Sequence, residues 1–177
     1  MYKKSLSGHA NKLIKFYKGE TKQMEIFNTE YLPESFIWND SIGLVTKSLG
    51  AAAGSQKIYV NIDYVQPKAY STKYHSHSQQ EEFFMILSGV GTLRLNDKEF
   101  PVKQGDFIAK PAAQEIAHTF YNSGNENLVI LDIGTNEKED TCYYPDEDRY
   151  LQKSNDQRRI FRGKDLDSTW TSEPNHT

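Results

Sequence analysis

Cysteine is almost absent from this chain of 177 residues, which contains only Cys142. A single thiol cannot close an internal disulfide, so the sequence excludes a small domain held together by disulfide bonds. Hydrophobic residues are also scarce, at 37%, and the mean hydropathy is −0.73. The length predicts one domain, and the aromatic content of 12% indicates a small core that is rich in Tyr and Phe.

The chain lacks an excess of either charge and also lacks a long apolar run. Its 21 basic and 24 acidic residues give a net charge of −3, which provides no electrostatic basis for binding nucleic acid or an anionic membrane. Near the N-terminus, lysines interrupt the apolar residues Leu13, Ile14 and Phe16, so no signal peptide or membrane span is predicted. We therefore expect a cytoplasmic protein whose partner is a small molecule.

Short β-type segments dominate the middle of the chain. They are residues 58–65, 82–87, 92–95, 99–102, 107–109, 116–121 and 128–133, with turns at 96–98 and 104–106. Short strands at this spacing are typical of an all-β sandwich or barrel. We predict a barrel at 58–134, an N-terminal extension at 1–57 that packs on it, and a loop-rich C-terminal tail at 135–177. The extension is expected to contain a short helix at 10–17 and a flexible loop at 50–55.

Three of the five histidines form one pattern with a carboxylate. His75 and His77 are two residues apart, Glu82 follows on the next predicted strand, and His118 lies on a later strand. Residues i and i+2 of a strand share a face, so both imidazoles of the first pair can reach one ion. Three imidazoles and a carboxylate suit a divalent transition metal, and this ligand set is compatible with Fe, Mn, Ni, Zn or Cu.

The same residues resemble the cupin superfamily, over about residues 58–148. The matching residues are the first cupin motif, His75-x-His77-x4-Glu82-x6-Gly89, and both ends of the second motif, Gly105-x5-Pro111 and His118-x3-Asn122. Ala113 stands where a glycine is usual, and His118 comes two residues after the usual histidine position, a shift that a longer loop would absorb. The resemblance implies a double-stranded β-helix, or jelly-roll barrel, of the small single-domain bacterial type. It further implies a metal centre at His75, His77, Glu82 and His118.

Alternatives remain open at each ligand position. Glu81 is the rival of Glu82, and whichever of the two does not reach the ion would face outward or hold a hydrogen bond to a ligand. His118 could be a core histidine, with Gln114 or Glu115 completing the site. The two histidines of the first motif could also be structural, because cupins without metal exist.

Alternation along the strands predicts the lining of the pocket. If Glu82 faces inward, Phe84 and Ile86 do so as well, and Phe120 accompanies His118. Such a partly apolar interior suits a small neutral or carboxylate ligand. No second acid–base pair is obvious there, and the positions for an acid–base group are Tyr59, Asp63, Tyr74 and Gln114. Arg94 is a possible anion contact, and phosphorylated sugars are less favoured than neutral or carboxylate ligands.

Three functions are compatible with these features. The first is a metal-dependent enzyme, since cupins include dioxygenases, decarboxylases, isomerases and hydrolases. The second is a non-catalytic sensor or carrier of a small metabolite, and the third is a metal-free structural barrel. A homodimer is expected by analogy with single-domain cupins.

Overall fold

The computed structural model describes residues 26–39, 41–155 and 157–166. Within these residues the chain is mainly β. The strands are β1 (Ser35–Asn39), β2 (Ile42–Ser48), β3 (Ile58–Val65), β4 (Ser76–His77), β5 (Glu82–Ser88), β6 (Val90–Leu95), β7 (Lys98–Lys103), β8 (Phe107–Lys110), β9 (His118–Tyr121), β10 (Leu128–Thr135), β11 (Glu139–Tyr144), β12 (Arg149–Ser154) and β13 (Gln157–Arg162). Helix α1 spans Leu49–Ala53, and short 3-10 helices span Thr29–Tyr31, Pro145–Glu147 and Gly163–Asp165. The all-β prediction is confirmed.

Two antiparallel sheets build the barrel and share one core. One sheet has the order β1-β2-β3-β10-β5-β8, and the other has the order β7-β6-β9. Buried residues of both sheets form a single apolar cluster: Leu44, Val65, Phe84, Ile86, Leu93, Val102, Phe120, Leu128 and Ile130. Because strands distant in sequence lie side by side, residues from β3, β5 and β10 face the same interior.

Tight turns set the register of the barrel strands. Asn96 and Asp97 connect β6 to β7 with positive φ values of 47° and 59°, as a two-residue hairpin turn requires. Gly89 separates β5 from β6 with a φ of 87°, and a Cβ at this position would lie 2.6 Å from the Asn127 carbonyl oxygen. The turns at 96–98 and 104–106 that the sequence predicts are confirmed.

The N-terminal extension contributes strands to the barrel sheet. β2 pairs with β3 from Leu44 to Ser48, and β1 pairs with β2 at the edge of the same sheet. The flexible loop predicted at 50–55 is wrong, because α1 forms there and ends at Gly54 in the left-handed conformation. The helix predicted at 10–17 lies outside the described residues. None of the helices in the described ranges has the length and apolar character needed to cross a bilayer.

The loop-rich tail predicted at 135–177 is wrong over its described part. β11, β12 and β13 form a hairpin sheet that continues onto β4, in the order β13-β12-β11-β4. These strands are polar and only partly buried. Stacked aromatic pairs across them, Tyr143 on Tyr150 and Tyr150 on Phe161, supply cross-strand contacts that a hydropathy pattern does not reveal.

Candidate metal centre

Backbone pairing brings the histidines of the two motifs together. The His75 amide donates to the His118 carbonyl oxygen at 3.2 Å, and the His118 amide donates to the His75 carbonyl oxygen at 2.9 Å. His77 follows on β4, and Glu82 begins β5. All four side chains line one cavity of about 260 Å³, the central cavity. The structure therefore places the four sequence-predicted residues around one space.

The loop before β9 accommodates the late position of His118. Ala113, at the usual glycine position, has a φ of 60°, and Glu115 has a φ of 54°. A left-handed conformation costs a residue with a side chain about 1–2 kcal/mol. These two residues turn the backbone so that His118 reaches the strand position opposite His75.

Hydrogen bonds fix the orientation of the first two imidazoles. Nδ1 of His75 lies 2.7 Å from the Lys73 carbonyl oxygen, and Nδ1 of His77 lies 2.5 Å from Asp140 Oδ2. Because a carbonyl and a carboxylate only accept, each Nδ1 carries the proton and donates. The two Nε2 atoms then face each other at 3.1 Å. Two lone pairs at this distance repel, so they require a proton or a shared cation between them.

Glu82 and His118 complete the arrangement. Glu82 Oε1 lies 3.6 Å from His77 Nε2, and Glu82 Oε2 lies 3.9 Å from His118 Nδ1. His75, His77 and Glu82 form a compact group of possible ligand atoms, with His118 beside it. His118 Nδ1 is buried and has no hydrogen-bond partner among the described residues. A buried nitrogen without a partner is costly, which fits an atom that binds an ion.

Burial favours the neutral form of the histidines. It lowers the pKa of His75 to about 4 and holds the pKa of His118 well below its usual value, with the neighbouring histidines and Lys110 adding to both effects. A metal ion binds the neutral imidazole, so these rings are in the required state near neutral pH.

Sequence reasoning missed Lys110, a buried cation beside Glu82. Its Nζ lies 2.6 Å from Glu82 Oε2, and both side chains are at most 4% exposed. Burial alone would raise the pKa of Glu82, but the neighbouring positive groups, above all Lys110, hold it below its ordinary value. β8 pairs with β5 so that Lys110 lies directly opposite Glu82. Knowledge that β5 pairs with β8 would have been needed to identify Lys110 from the sequence.

The interior holds two further carboxyl groups, of which the sequence indicated Asp63 but not Asp132. Asp63 on β3 and Asp132 on β10 lie on the same face of these paired strands, and both line the central cavity. The Tyr59 hydroxyl lies 3.0 Å from Asp132 Oδ1 and 3.2 Å from Glu82 Oε1. Burial, followed by the charge of Asp63, raises the pKa of Asp132 to about 8. Alternation along the predicted strand 128–133 places Asp132 on the same face as Ile130, and this pattern could have indicated that Asp132 faces the interior.

The C-terminal sheet also contributes to the site. Asp140 on β11 accepts the hydrogen bond from His77, and it also accepts from the backbone amides of Ser78 and Gln79. The Tyr144 ring stacks on His75 at 5.5 Å between centroids. Because the sequence reading treated 135–177 as a tail outside the barrel, it gave no role to Asp140.

The two adjacent glutamates at the start of β5 differ in burial. Glu82 is buried, whereas Glu81 is exposed and its backbone amide donates to Thr135 Oγ1. We expect Glu82→Gln to reduce metal affinity strongly and Glu81→Gln to leave it nearly unchanged, because only the Glu82 side chain reaches the histidines. Isothermal titration of both variants with Mn²⁺ and Zn²⁺ measures the difference. The reverse order of effects would assign the ligand to Glu81.

Asp140 is expected to support metal binding through His77. Asp140→Asn keeps the shape of the side chain but weakens the hydrogen bond that orients the ring. Loss of such a partner typically reduces metal affinity about 10–100-fold. Competition with a chromophoric chelator measures the loss, and Glu139→Gln, an exposed neighbour on β11, serves as the control. Equal affinities in the two variants would contradict this role.

Comparison with known proteins supports the fold. Residues 62–134 match the cupin domain family. An uncharacterized protein of Methanocaldococcus jannaschii is 37% identical over 81 residues, which are 46% of this chain and 56% of that protein. The chain therefore spans about half the length of this relative.

Two crystal structures resemble the chain over most of its length. A provisionally assigned sugar phosphate isomerase from Acidithiobacillus ferrooxidans superposes with a TM-score of 0.76 at 28% identity, covering 82% of this chain and 97% of that one. A sugar phosphate isomerase of the cupin superfamily from Silicibacter pomeroyi superposes with a TM-score of 0.73 at 24% identity, covering 81% and 98%. The second likeness concerns the fold alone. The family match and the barrel show that residues 62–134 of this chain form a cupin domain.

Proposed function

We propose that the chain is a metal-dependent isomerase that binds one divalent transition metal through His75, His77, Glu82 and His118. The observation that carries the proposal is the 3.1 Å separation between Nε2 of His75 and Nε2 of His77. Both atoms carry lone pairs, because each Nδ1 holds the ring proton and donates it to an oxygen acceptor. This separation suits two nitrogens that bind one ion at about 2.1 Å each. Glu82 Oε1 at 3.6 Å and the unpartnered His118 Nδ1 supply the further ligands.

Isomerisation is the reaction that this cavity supports best. A divalent ion at these residues would polarise a substrate carbonyl. Asp132 and Tyr59 line the same cavity and can form hydrogen bonds with hydroxyl groups of a substrate. The similarity to the Acidithiobacillus ferrooxidans protein supports the same class of reaction.

The cavity favours the uncharged carbonyl end of a small polyhydroxy compound. Its volume is about 260 Å³, and the negative charge of Asp63 and Glu82 would repel a phosphate inside. Arg94, the expected anion contact, does not line this cavity and instead pairs with Asp97 and Asp146. A phosphate on the substrate would therefore remain outside.

The test combines metal analysis with a substrate panel. Protein prepared without chelator is analysed for metal and then incubated with glucose, mannose, xylose and ribose, each free and as its terminal phosphate. We expect about one equivalent of a transition metal and conversion of at least one aldose to its ketose. Retention of metal by a His75/His77/His118 triple alanine variant, or no conversion by metal-loaded protein, would refute the proposal.

The Lys110 ion pair favours a second candidate, a cupin that binds a small ligand without metal. The ammonium group at 2.6 Å already neutralises Glu82, as a metal would. In that case purified protein would contain no metal and would not take up Mn²⁺, Fe²⁺, Ni²⁺, Cu²⁺ or Zn²⁺ on addition. Metal titration therefore separates the two candidates directly.

We also propose a homodimer that pairs through β1. This edge strand exposes Phe36, Ile37 and Trp38, of which Trp38 is 72% exposed. An apolar edge strand with free backbone groups is prone to pair with another chain. Light scattering should give twice the mass of the chain for the natural protein and one mass for Trp38→Lys. A monomeric natural protein would exclude this interface.

A further inference from the structure

A pair of buried carboxyl groups lies in the central cavity but is not among the proposed ligands. Asp63 and Asp132 lie on the same face of the paired strands β3 and β10, and Asp132 Oδ1 lies 3.0 Å from the Tyr59 hydroxyl. The same hydroxyl is 3.2 Å from Glu82. One tyrosine therefore separates the carboxyl pair from the proposed metal ligands.

The pair can hold one proton and release it. Two neighbouring carboxyl groups in a buried site do not both ionise readily, so the pair retains a proton more easily than an isolated carboxyl group. Thr46 Oγ1 donates to Asp63 Oδ1 at 2.6 Å, which stabilises negative charge on Asp63. Asp132 is then the member that gains and loses the proton, and burial places its pKa close to neutral pH.

We propose that Asp132 is the acid–base group that moves a proton between adjacent carbons of a hydroxy-carbonyl substrate, with Asp63 as its positioning residue. This inference rests on the proposed isomerase function. A carboxylate oxygen takes the proton from the hydroxyl-bearing carbon, and the electron pair of that C–H bond forms the double bond of an enediol. The same carboxyl group returns the proton to the former carbonyl carbon, while the hydroxyl proton passes from one substrate oxygen to the other. Neither an oxidant nor a reductant is needed.

The surroundings of Asp132 suit this role. The titratable groups that face it are Tyr59 and Asp63 on β3 and Glu82 on β5. Tyr59 is held in its neutral form because burial and both carboxylates raise its pKa far above the usual value. Its hydroxyl can therefore donate to Asp132 or to a substrate oxygen.

The experiment follows exchange of the substrate hydrogen with solvent. Metal-loaded natural protein and Asp132→Asn are incubated in D2O with the panel of aldoses and aldose phosphates, and NMR measures deuterium at carbon 1 of the ketose and at carbon 2 of the re-formed aldose. We expect the natural protein to incorporate deuterium and Asp132→Asn to do so at least about 100-fold more slowly, the usual effect of losing an acid–base group. Metal content should stay near one equivalent, since Asp132 is not a proposed ligand. Glu99→Gln, an exposed carboxylate on β7, is the matched control and should behave as the natural protein.

The outcomes separate this inference from the proposed function. Isomerisation without deuterium incorporation, or natural exchange rates in Asp132→Asn, would overturn the inference while the isomerase function stands. Absence of any conversion by the natural protein would overturn the isomerase proposal and this inference with it.

Two further measurements are independent of the exchange rate of Asp132→Asn. Infrared spectra should show a protonated carboxyl band at pH 7 in the natural protein and in Glu99→Gln but not in Asp132→Asn, and persistence of the band would overturn the assignment.

Asp63→Asn should retain proton transfer but move the acid limb of the pH profile to lower pH, because the charge of Asp63 raises the pKa of Asp132. An unchanged pH profile would exclude Asp63 as the positioning residue.

Discussion

Replacing His75 and His77 together by alanine is expected to remove the bound metal while the barrel stays folded. The two Nε2 atoms form the closest pair of possible ligand atoms, so their loss leaves Glu82 and His118 to hold the ion alone. Loss of a single supporting hydrogen bond costs about 10–100-fold in affinity, and the loss of two direct ligands should exceed that. Elemental analysis and competition with a chelator measure the effect.

The fold should survive because other residues build the apolar core. The buried cluster of the two barrel sheets includes residues such as Val65, Leu128 and Ile130 and contains neither histidine. Circular dichroism should therefore be unchanged. The matched control replaces His9 and His176, two histidines outside the motif, and should keep about one equivalent of metal. A stoichiometric metal in the His75/His77 variant would show that the site has been assigned wrongly.

The barrel strands could be predicted because each alternates over several residues. β3 begins and ends where the pattern of Ile58–Val65 does, and alternation correctly placed Glu82, Phe84 and Ile86 on the buried face of β5. The polar strands β11 to β13 were missed, since pairing with neighbouring strands rather than a buried face defines them. A pattern read along one segment contains no information about the segment that will lie beside it.

The same limit explains which site residues were missed. The histidines belong to a motif with fixed spacing, whereas Lys110 and Asp140 reach the site only through pairing between strands. Asp140 lies 63 residues from His77, and no local signal connects the two. Buried charges of this kind depend on partners from elsewhere in the chain, so burial of Lys110 could not be inferred before Glu82 was placed opposite it.

Lys110→Met is expected to destabilise the metal-free protein and to strengthen metal binding. Removing one partner of a buried ion pair costs about 3–5 kcal/mol, because the other charge remains buried and unpaired. Here that charge is Glu82, which is 4% exposed. A divalent ion at the site would neutralise it again and would no longer be repelled by the ammonium group, so we expect the dissociation constant for Zn²⁺ or Mn²⁺ to fall at least about tenfold.

Thermal unfolding with and without metal provides the test. The melting temperature of Lys110→Met should lie well below that of the natural protein after treatment with chelator, and added metal should raise it by more than it raises the natural value. Lys98→Met removes an exposed lysine of β7 and should change neither quantity. A weaker metal affinity in Lys110→Met would mean that the ammonium group supports Glu82 rather than competing with the ion. The metal-free function, in which Lys110 permanently neutralises Glu82, would then be favoured over the isomerase.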